Sequence, residues 1–284
     1  MVSCAGSPCY ADPLGPGAIA EGVAPEASGL ASSSSDPSLF FTVDDGSKMS
    51  YIVAVRLDGS VVGRVEVDGM AAANAEAIVP GVCDAGRPDR CLYIGDIGAD
   101  PGRGTVTVYR IAEPDASALP ASTPSEIWKY TYPDGRYNAE ALLIADDGSI
   151  VIVTKPDGGA TPHRVYGGQP GGGKLTLITT FTPPKPLHPA QSLLVGNVVT
   201  DASRLPDRVL LLTYDQAIEY LAPATGADPA TFPSWTYRQL AVPDQLQSEG
   251  ITYRAAAGLP GCGYAVVSEK SFAAAPEIGA VGCR

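Results

Sequence analysis

Charged residues are scarce in this 284-residue chain, and basic residues are scarcer than acidic ones. Asp, Glu, Lys and Arg make up 18% of the sequence, and 31 acidic against 19 basic residues leave a formal net charge of −12. The basic residues form no cluster along the chain. A protein that follows a nucleic-acid backbone needs a basic face. The composition therefore argues against nucleic acid, and against an anionic membrane surface, as a partner.

Long hydrophobic runs are missing as well. No apolar run approaches the ~20 residues needed to span a bilayer, so we expect no membrane span. The opening stretch "MVSCAGSPCYADPLGPG" lacks the apolar core of a signal peptide, and we expect a mature chain from which a leader has been removed. At 45% hydrophobic residues, the chain still has enough apolar side chains for a globular core.

Motifs of several enzyme classes are also lacking. The chain has no GxSxG, HExxH or P-loop motif, and the Gly-rich stretch at 167–174 lacks the GK[ST] ending of a phosphate-binding loop. The two histidines, His163 and His188, lie in Pro-rich segments that we expect to be loops, and they give little support for a Ser-His-Asp triad. No CxxC pair is present, which argues against zinc.

What the chain does contain is six cysteines, an even number that fits disulfides although it allows 15 pairings. Cys83 and Cys91 bracket a short loop, and Cys262 and Cys283 flank the last predicted hairpin, which favours local pairing. Disulfides persist in oxidising compartments. We therefore predict a secreted, extracellular protein.

Glycine and proline are abundant, at 32 and 26 residues, and long helices are hard to place among them. Between them lie short apolar runs bounded by Gly, Pro, Asp or Asn, a pattern typical of an all-β protein. The clearest runs are "LFFTV", "YIVAVRL", "TVTVYRI", "IVIVT", "VLLLTY" and "YAVVS".

Five segments share one pattern, a short polar opening followed by a strand. They are "PEASGLAS" (25–32), "NAEAIVPG" (74–81), "NAEALLIA" (138–145), "VTDASRLP" (199–206) and "QSEGITYR" (247–254). Their polar positions are 48 to 64 residues apart, the size of a four-stranded propeller blade. The chain is therefore predicted to be a β-propeller with five blades, or six if two units have been merged. A β-sandwich would leave the repeat unexplained.

We expect residues 1–284 to form a single propeller domain with an irregular N-terminal segment at 1–16. The last unit is short and runs out at Arg284 without a good outer strand. The stretch at 17–24 is expected to supply that strand and close the ring.

In a propeller the first strand of each blade lines a central channel, and residues two apart point the same way. The repeat therefore predicts two rings of side chains. The first ring is Ser28, Glu76, Glu140, Asp201 and Glu249, and the second is Glu26, Asn74, Asn138, Val199 and Gln247.

Four carboxylates in one narrow ring repel one another, so protons, basic side chains or a bound cation must compensate. Ca²⁺ requires six to eight oxygen ligands, which carboxylates, amides and a hydroxyl can supply. We therefore predict a Ca²⁺ site formed by the first ring together with Glu26, Asn74 and Asn138. The alternative is that these side chains cap backbone groups at the channel end, with water between them.

Second strands return to the mouth at which the first strands begin, so their ends should rim the same opening. We predict a catalytic rim of Asp44, Asp45, Asp96 and Lys155, with Asp215, Glu269 and Lys270 alongside and Asp100 and Arg136 close by. Carboxylates and a cation around a central metal could form a substrate pocket. A solvated loop rim is the alternative, because Asp and Lys are common at strand ends.

Three stretches, "SGLASSSSDPSLFFTVDD", "NAEAL" and "SEGITY", resemble motifs of the calcium-activated apyrase family in order and position. The resemblance implies a five-bladed propeller with one channel Ca²⁺ held by Ser and Glu at first-strand starts. Ser28, Glu76, Glu140 and Glu249 match those positions, whereas Asp201 stands where that family has Ser. The pattern also resembles secreted propeller proteins of actinobacteria and, more loosely, phytase-like esterase and lactonase propellers, which use a channel Ca²⁺ to polarise a phosphate or carbonyl.

These observations favour a secreted, calcium-dependent propeller hydrolase of the phosphoester, ester or lactone class. In this hypothesis Asp44, Asp45 or Asp96 activates water, and the protein is a monomer that acts on a small molecule. The competing hypothesis is a non-catalytic binding module in which a channel metal only holds the blades together.

Overall fold

The computed structural model describes residues 10–283 apart from 47, 88, 100–103, 157–161, 188–195, 257–258 and 272–273, together with residues 3–4 and 7–8. For 3–4, 7–8, 255–256 and 259–262 only the backbone is described. The described residues include no long apolar helix of the kind that crosses a membrane. Nearly all regular structure is β-strand, as the apolar runs predict.

Five four-stranded antiparallel units make up the fold, and we number them as blades 1 to 5. Blade 1 consists of Ala27–Ser32, Leu39–Asp44, Tyr51–Arg56 and Val61–Asp68. Blade 2 consists of Ala75–Val82, Arg90–Asp96, Val106–Ala112 and Ser122–Thr131. Blade 3 consists of Ala139–Ile144, Ile150–Thr154, His163–Gly168 and Thr176–Phe181.

The last two blades differ in how they obtain their outer strand. Blade 4 consists of Val199–Leu205, Arg208–Thr213, Gln216–Leu221 and Thr236–Leu240, with a 3-10 helix at Pro229–Ser234 before the outer strand. Blade 5 consists of Ser248–Ala256, Leu259–Ser268 and Glu277–Val281, and its fourth strand is Leu14–Ala18 from the N-terminus. The predicted closure by an N-terminal strand is therefore confirmed.

The closing strand lies earlier in the chain than predicted. It begins at Leu14, inside the segment expected to be irregular, and ends at Ala18 rather than running on to residue 24. The reason is that Ile19 is buried and its N–H donates to Pro276 O, after which the chain turns. Ser3–Cys4 and Ser7–Pro8 also form a short antiparallel pair within the first sixteen residues.

First strands lie innermost and form a closed circle. The first strand of each blade contacts the first strands of the blades on both sides, and blade 5 contacts blade 1. The polar openings of the five repeats therefore meet at one end of a central channel, because all five strands start at that end. The channel end is the feature of the fold that brings the candidate site together.

Both faces of a blade are buried, which explains why its strands read as continuous apolar runs. In blade 1, Phe41 and Ile52 pack with Ile94 of blade 2, whereas Phe40 and Val53 pack on the opposite face with residues of blade 5. Outer strands alternate between buried and exposed residues instead.

Blades 1 and 2 are also joined at their outer edges, where Val61–Asp68 and Ser122–Thr131 pair in parallel through three residue pairs. The expected disulfide between Cys83 and Cys91 is present. Cys283 is also disulfide-bonded, whereas the side chain of Cys262 lies outside the described residues. His163, expected in a loop, instead begins the third strand of blade 3 and is buried, with its Nε2 accepting the Val199 N–H at 3.0 Å. His188 lies outside the described residues.

Candidate metal centre

Every inner strand carries a β-bulge close to its start, at the channel end where the repeats meet. A bulge inserts one extra residue opposite its partner strand and re-aims a side chain. The bulged residues in blades 1 to 5 are Gly29, Glu76, Glu140, Thr200 and Glu249. In three blades the inserted residue is therefore one of the predicted ring glutamates.

Strand register places Thr200 at the ring position of blade 4, beside the predicted Asp201. The residue after the first cross-strand pair is Ser28, Glu76, Glu140, Thr200 and Glu249 in blades 1 to 5. Counted from that pair, Thr200 is equivalent to Ser28. Their hydroxyls behave alike: Ser28 Oγ donates to Glu76 O at 2.9 Å, and Thr200 Oγ1 donates to Ser248 O at 2.8 Å. Spacing between repeats cannot resolve such a one-residue shift.

The ring glutamates Glu76, Glu140 and Glu249 are all buried. Burial raises the pKa of each above its usual value, and charge repulsion within the group adds to the increase for Glu76 and Glu249. Ser28 Oγ lies 3.2 Å from Glu76 Oε2, whereas Glu249 Oε2 has no hydrogen-bond partner among the described residues. A buried carboxylate oxygen without a partner is the kind of group that a cation would satisfy.

Lys155 is the basic group in contact with this ring. Its Nζ donates to Glu140 Oε2 and to Tyr214 Oη, both at 2.7 Å. Burial alone would lower the pKa of Lys155, but the nearby carboxylates of Glu140 and Glu249 outweigh burial and raise it. We therefore take Lys155 as an ammonium ion that balances part of the ring's negative charge.

Asp201 lies one residue beyond the ring position and is fully buried. Its Oδ2 accepts the N–H of Ile251 from blade 5 at 2.7 Å, and its Oδ1 has no hydrogen-bond partner among the described residues. Burial raises the pKa of Asp201 well above its usual value, and backbone N–H groups only partly oppose this. Asp201 thus bonds blade 4 to blade 5, and the charge of the ring residue Glu140 also acts on it.

The second predicted ring forms the lip of the channel mouth, and its members differ in what they contact. Glu26 is exposed, Asn74 Nδ2 donates to Ala99 O at 3.2 Å, and Asn138 Nδ2 donates to Glu140 Oε1 at 3.3 Å. The Gln247 side chain donates to the Glu269 carboxylate. Val199 is buried among apolar residues of blades 3 and 4. Asn138 is the member that touches a ring glutamate.

Asp44 and Asp96, two predicted catalytic acids, are buried and accept backbone N–H groups. Asp44 accepts from Glu26 N at 3.1 Å and from Gly46 N at 3.0 Å, and Asp96 Oδ1 accepts from Asn74 N at 2.9 Å. The two residues occupy equivalent last positions of the second strands. Each therefore caps the chain entering the inner strand of its own blade.

Asp45 is a half-buried acid at the mouth whose pKa is also raised. Burial, together with the negative charges of Glu26, Glu269 and Asp44, raises the pKa of Asp45 to about 7. Glu26, Asp44 and Asp45 also have carboxylate oxygens within 4.8 Å of one another, so this cluster could hold a metal ion. A carboxyl group with a pKa near 7 can exchange a proton near neutral pH.

Tyr214 is a site residue that reading the sequence missed. Counting from the second-strand ends places Asp45, Lys155, Tyr214 and Glu269 at equivalent positions, each one residue past the end of its second strand. Tyr214 was overlooked because Asp215 beside it carries a charge. Asp215 is instead buried, with Thr213 Oγ1 donating to its Oδ1 at 3.1 Å.

The remaining rim residues lie outside the ring. Lys270 Nζ pairs with exposed Glu21 at 2.8 Å. Asp100 lies outside the described residues, and Arg136 is exposed. A cavity of about 590 Å³ is lined by residues 145–151 of blade 3 and 226–230 of blade 4, at the hairpin-turn end of the blades and hence opposite the ring.

No family model matches the chain, and a search of curated proteins finds no match. Solved structures with a similar fold include the alpha-L-arabinofuranosidase of Lactobacillus brevis, at 12% identity and a TM-score of 0.49 over 92% of each chain. A glucose dehydrogenase-type oxidoreductase of Thermus thermophilus has 10% identity and a TM-score of 0.48 over 92% of this chain and 97% of that one. The Pan2 WD40 domain of Neurospora crassa has 10% identity and a TM-score of 0.33 over 90% of this chain and 63% of that one. Such similarities concern the fold and say nothing about activity.

Proposed function

We propose that this protein binds a Ca²⁺ ion at the channel mouth through Glu76, Glu140 and Glu249. The observation that carries the proposal is an excess of buried negative charge: three carboxylates from three blades share one contacting ammonium, that of Lys155, and Glu249 Oε2 lacks a partner among the described residues. The oxygen-only donors match the ligands that Ca²⁺ prefers. Asn138 and the Ser28 hydroxyl are the neutral oxygens beside them.

We further propose that the protein is a calcium-dependent hydrolase of small phosphoesters, esters or lactones. When bound, Ca²⁺ would supply a Lewis acid that polarises a phosphoryl or carbonyl oxygen. Asp45 would accept a proton from the attacking water, because its pKa of about 7 suits a general base near neutral pH. Asp44 and Asp96 would position the strand ends that carry the lip.

A non-catalytic binding module is the second candidate, and one observation favours it. Both carboxylate oxygens of Asp44 and the Oδ1 of Asp96 accept backbone N–H groups, which leaves Asp45 as the predicted catalytic acid without such a cap among the described contacts. In that case the Ca²⁺ would hold blades 2, 3 and 5 together. The disulfide between Cys83 and Cys91 supports secretion in either case.

The decisive experiment for the metal is elemental analysis of protein purified without chelator, with thermal melting followed in EDTA and in CaCl₂. We expect about one Ca²⁺ per chain and a lower melting temperature in EDTA, because ligands that bind only the folded state stabilise it. The double variant Glu140→Gln/Glu249→Gln should lose the Ca²⁺-dependent shift, while Glu21→Gln, at an exposed carboxylate, should keep it. Absence of both metal and shift from the unaltered protein contradicts the calcium site.

Activity is tested separately with p-nitrophenyl phosphate, p-nitrophenyl acetate and a γ-lactone. We expect hydrolysis of at least one of them in CaCl₂ and a loss of at least about tenfold in kcat for Asp45→Asn. Calcium binding with no hydrolysis of any probe would leave the binding module as the better description.

A further inference from the structure

Lys155 contacts the ring at Glu140, one of the carboxylates proposed to bind the cation. Its Nζ is 2.7 Å from Glu140 Oε2, and its side chain is only 17% exposed. The carboxylates of Glu249 and Glu269 are also close enough to interact electrostatically with this ammonium. An incoming cation would therefore meet a positive charge already held by one of its ligands.

Tyr214 gives this ammonium a second partner. The Tyr214 hydroxyl accepts from Nζ at 2.7 Å, and the ring centroid lies 4.9 Å from the same nitrogen. Contact with an aromatic face stabilises a cation. Lys155 could thus release Glu140 and remain bonded to Tyr214, which offers both a hydroxyl and a ring face.

We propose that Lys155 is a resident cation that competes with Ca²⁺ for Glu140, so that calcium binding at the mouth is an exchange in which the ammonium moves from Glu140 to Tyr214. The inference rests on the proposed Ca²⁺ site. It assigns Lys155 the role of setting the affinity of that site and makes Tyr214 the residue that receives the displaced ammonium. Neither residue needs to bind the metal itself.

Two opposite effects distinguish exchange from a structural role. Removing the ammonium by Lys155→Met frees the Glu140 oxygen and removes like-charge repulsion, so Ca²⁺ should bind more tightly. Removing the hydroxyl by Tyr214→Phe takes away the second partner and makes release of Glu140 less favourable, so Ca²⁺ should bind more weakly. A residue that only supports the fold would weaken binding in both variants.

The experiment is calorimetric titration of chelator-treated full-length protein with CaCl₂, at one pH and one ionic strength. We expect at least about tenfold tighter binding for Lys155→Met and at least about threefold weaker binding for Tyr214→Phe. The matched controls are Lys270→Met, which removes an exposed lysine paired with Glu21, and Tyr237→Phe at an exposed tyrosine of blade 4. Both controls should bind as the unaltered protein does.

The outcomes separate the two proposals. If the unaltered protein binds calcium and Lys155→Met binds it equally or more weakly, the exchange is overturned and the calcium site stands. If Lys155→Met binds calcium and the unaltered protein does not, Lys155 is the resident cation and calcium is not the natural ligand. No binding by either protein overturns both. If Lys155→Met fails to fold, unchanged or tighter binding by Tyr214→Phe overturns the exchange.

Discussion

Carboxyl groups at the channel mouth differ in what their oxygens contact, and this difference decides their chemistry. Asp44 and Asp96 accept backbone N–H groups, so they hold strand ends in place. Asp45, one residue further, is only half-buried but lies among other acids, and its pKa rises to about 7. Neighbouring residues of one type thus differ in role: Asp44 and Asp96 hold strand ends, whereas Asp45, in our proposal, transfers a proton.

Asp45 makes the stability of the metal-free protein depend on pH. Its pKa is about 7 in the folded chain, against about 3.9 when unfolded. Between these values the folded state binds more protons than the unfolded state, so stability falls as pH rises from about 4 to about 7 and levels off above. Asp45→Asn removes this pH-dependent loss of stability. In EDTA, the melting temperature of this variant should therefore exceed that of the unaltered protein at about pH 8 but not at about pH 4.

The comparison is made by differential scanning calorimetry across that pH range, with Asp244→Asn as the control. Asp244 is exposed and is not part of the Glu26–Asp44–Asp45 cluster, so its variant should follow the unaltered protein at every pH. Parallel curves for Asp45→Asn and the unaltered protein would mean that Asp45 titrates normally.

The recurring element of this fold is the bulged start of the inner strand. In blade 1 the bulge falls on Gly29, whose φ of +65° favours glycine and whose position leaves no space for a Cβ beside the backbone of Ala77 and Ile78. In blades 2, 3 and 5 the bulge carries a glutamate into the channel. One backbone irregularity therefore serves close packing in one blade and, in our proposal, cation binding in three others.

The close contact between the Gly98 backbone and the Glu76 carboxylate can be tested for its effect on Ca²⁺ binding. A Cβ at this position would collide with Glu76 Oε1 and the Asn74 amide. Gly98→Ala should displace the Glu76 carboxylate and weaken Ca²⁺ binding at least about tenfold in the calorimetric titration. Gly104→Ala is the matched control, because a Cβ there meets nothing within 4 Å. Equal affinity in both variants would show that Glu76 is not a ligand.

Across the whole molecule, closure of the ring depends on a strand from the opposite end of the chain. Leu14–Ala18 completes blade 5 and also lies against the hairpin turn of blade 1, where Gly17 is too close to Leu57 and Asp58 to accept a Cβ. Tyr10 adds a bond from the same segment, donating its hydroxyl to buried Glu219 of blade 4 at 2.6 Å. The N-terminal segment therefore ties blades 1, 4 and 5 together.

Gly17→Ala should loosen this closure. Overpacking against backbone that cannot move destabilises proteins by about 1–3 kcal/mol, and we expect a loss of that size in urea unfolding. Gly15→Ala, where a Cβ meets nothing within 4 Å, should be close to neutral. If both variants unfold at the same urea concentration, the closing strand contributes little to the stability of the ring.

Much of the fold could be predicted from the sequence because a propeller repeats its own local pattern. The openings at Asn74 and Asn138 share the sequence Asn-Ala-Glu, and both do start inner strands. The candidate site was only partly predictable. Thr200 was missed because a bulge shifts which residue takes the ring position, and counting residues between repeats cannot detect such a shift. Tyr214 was missed because the charged Asp215 lies beside it.

By itself, the sequence determined the fold class, the blade repeat, the N-terminal closure and the glutamates at the inner-strand starts. These features follow from short apolar runs bounded by turn residues and from their repetition along the chain, both of which can be read from the order of residues. Tertiary structure alone decided that Asp44 and Asp96 cap backbone N–H groups, that Thr200 stands beside Asp201 at the ring position of blade 4, and that Lys155 lies between Glu140 and Tyr214. Those contacts join residues that are distant in the chain or shifted by one position, and only packing of the blades around the channel sets them.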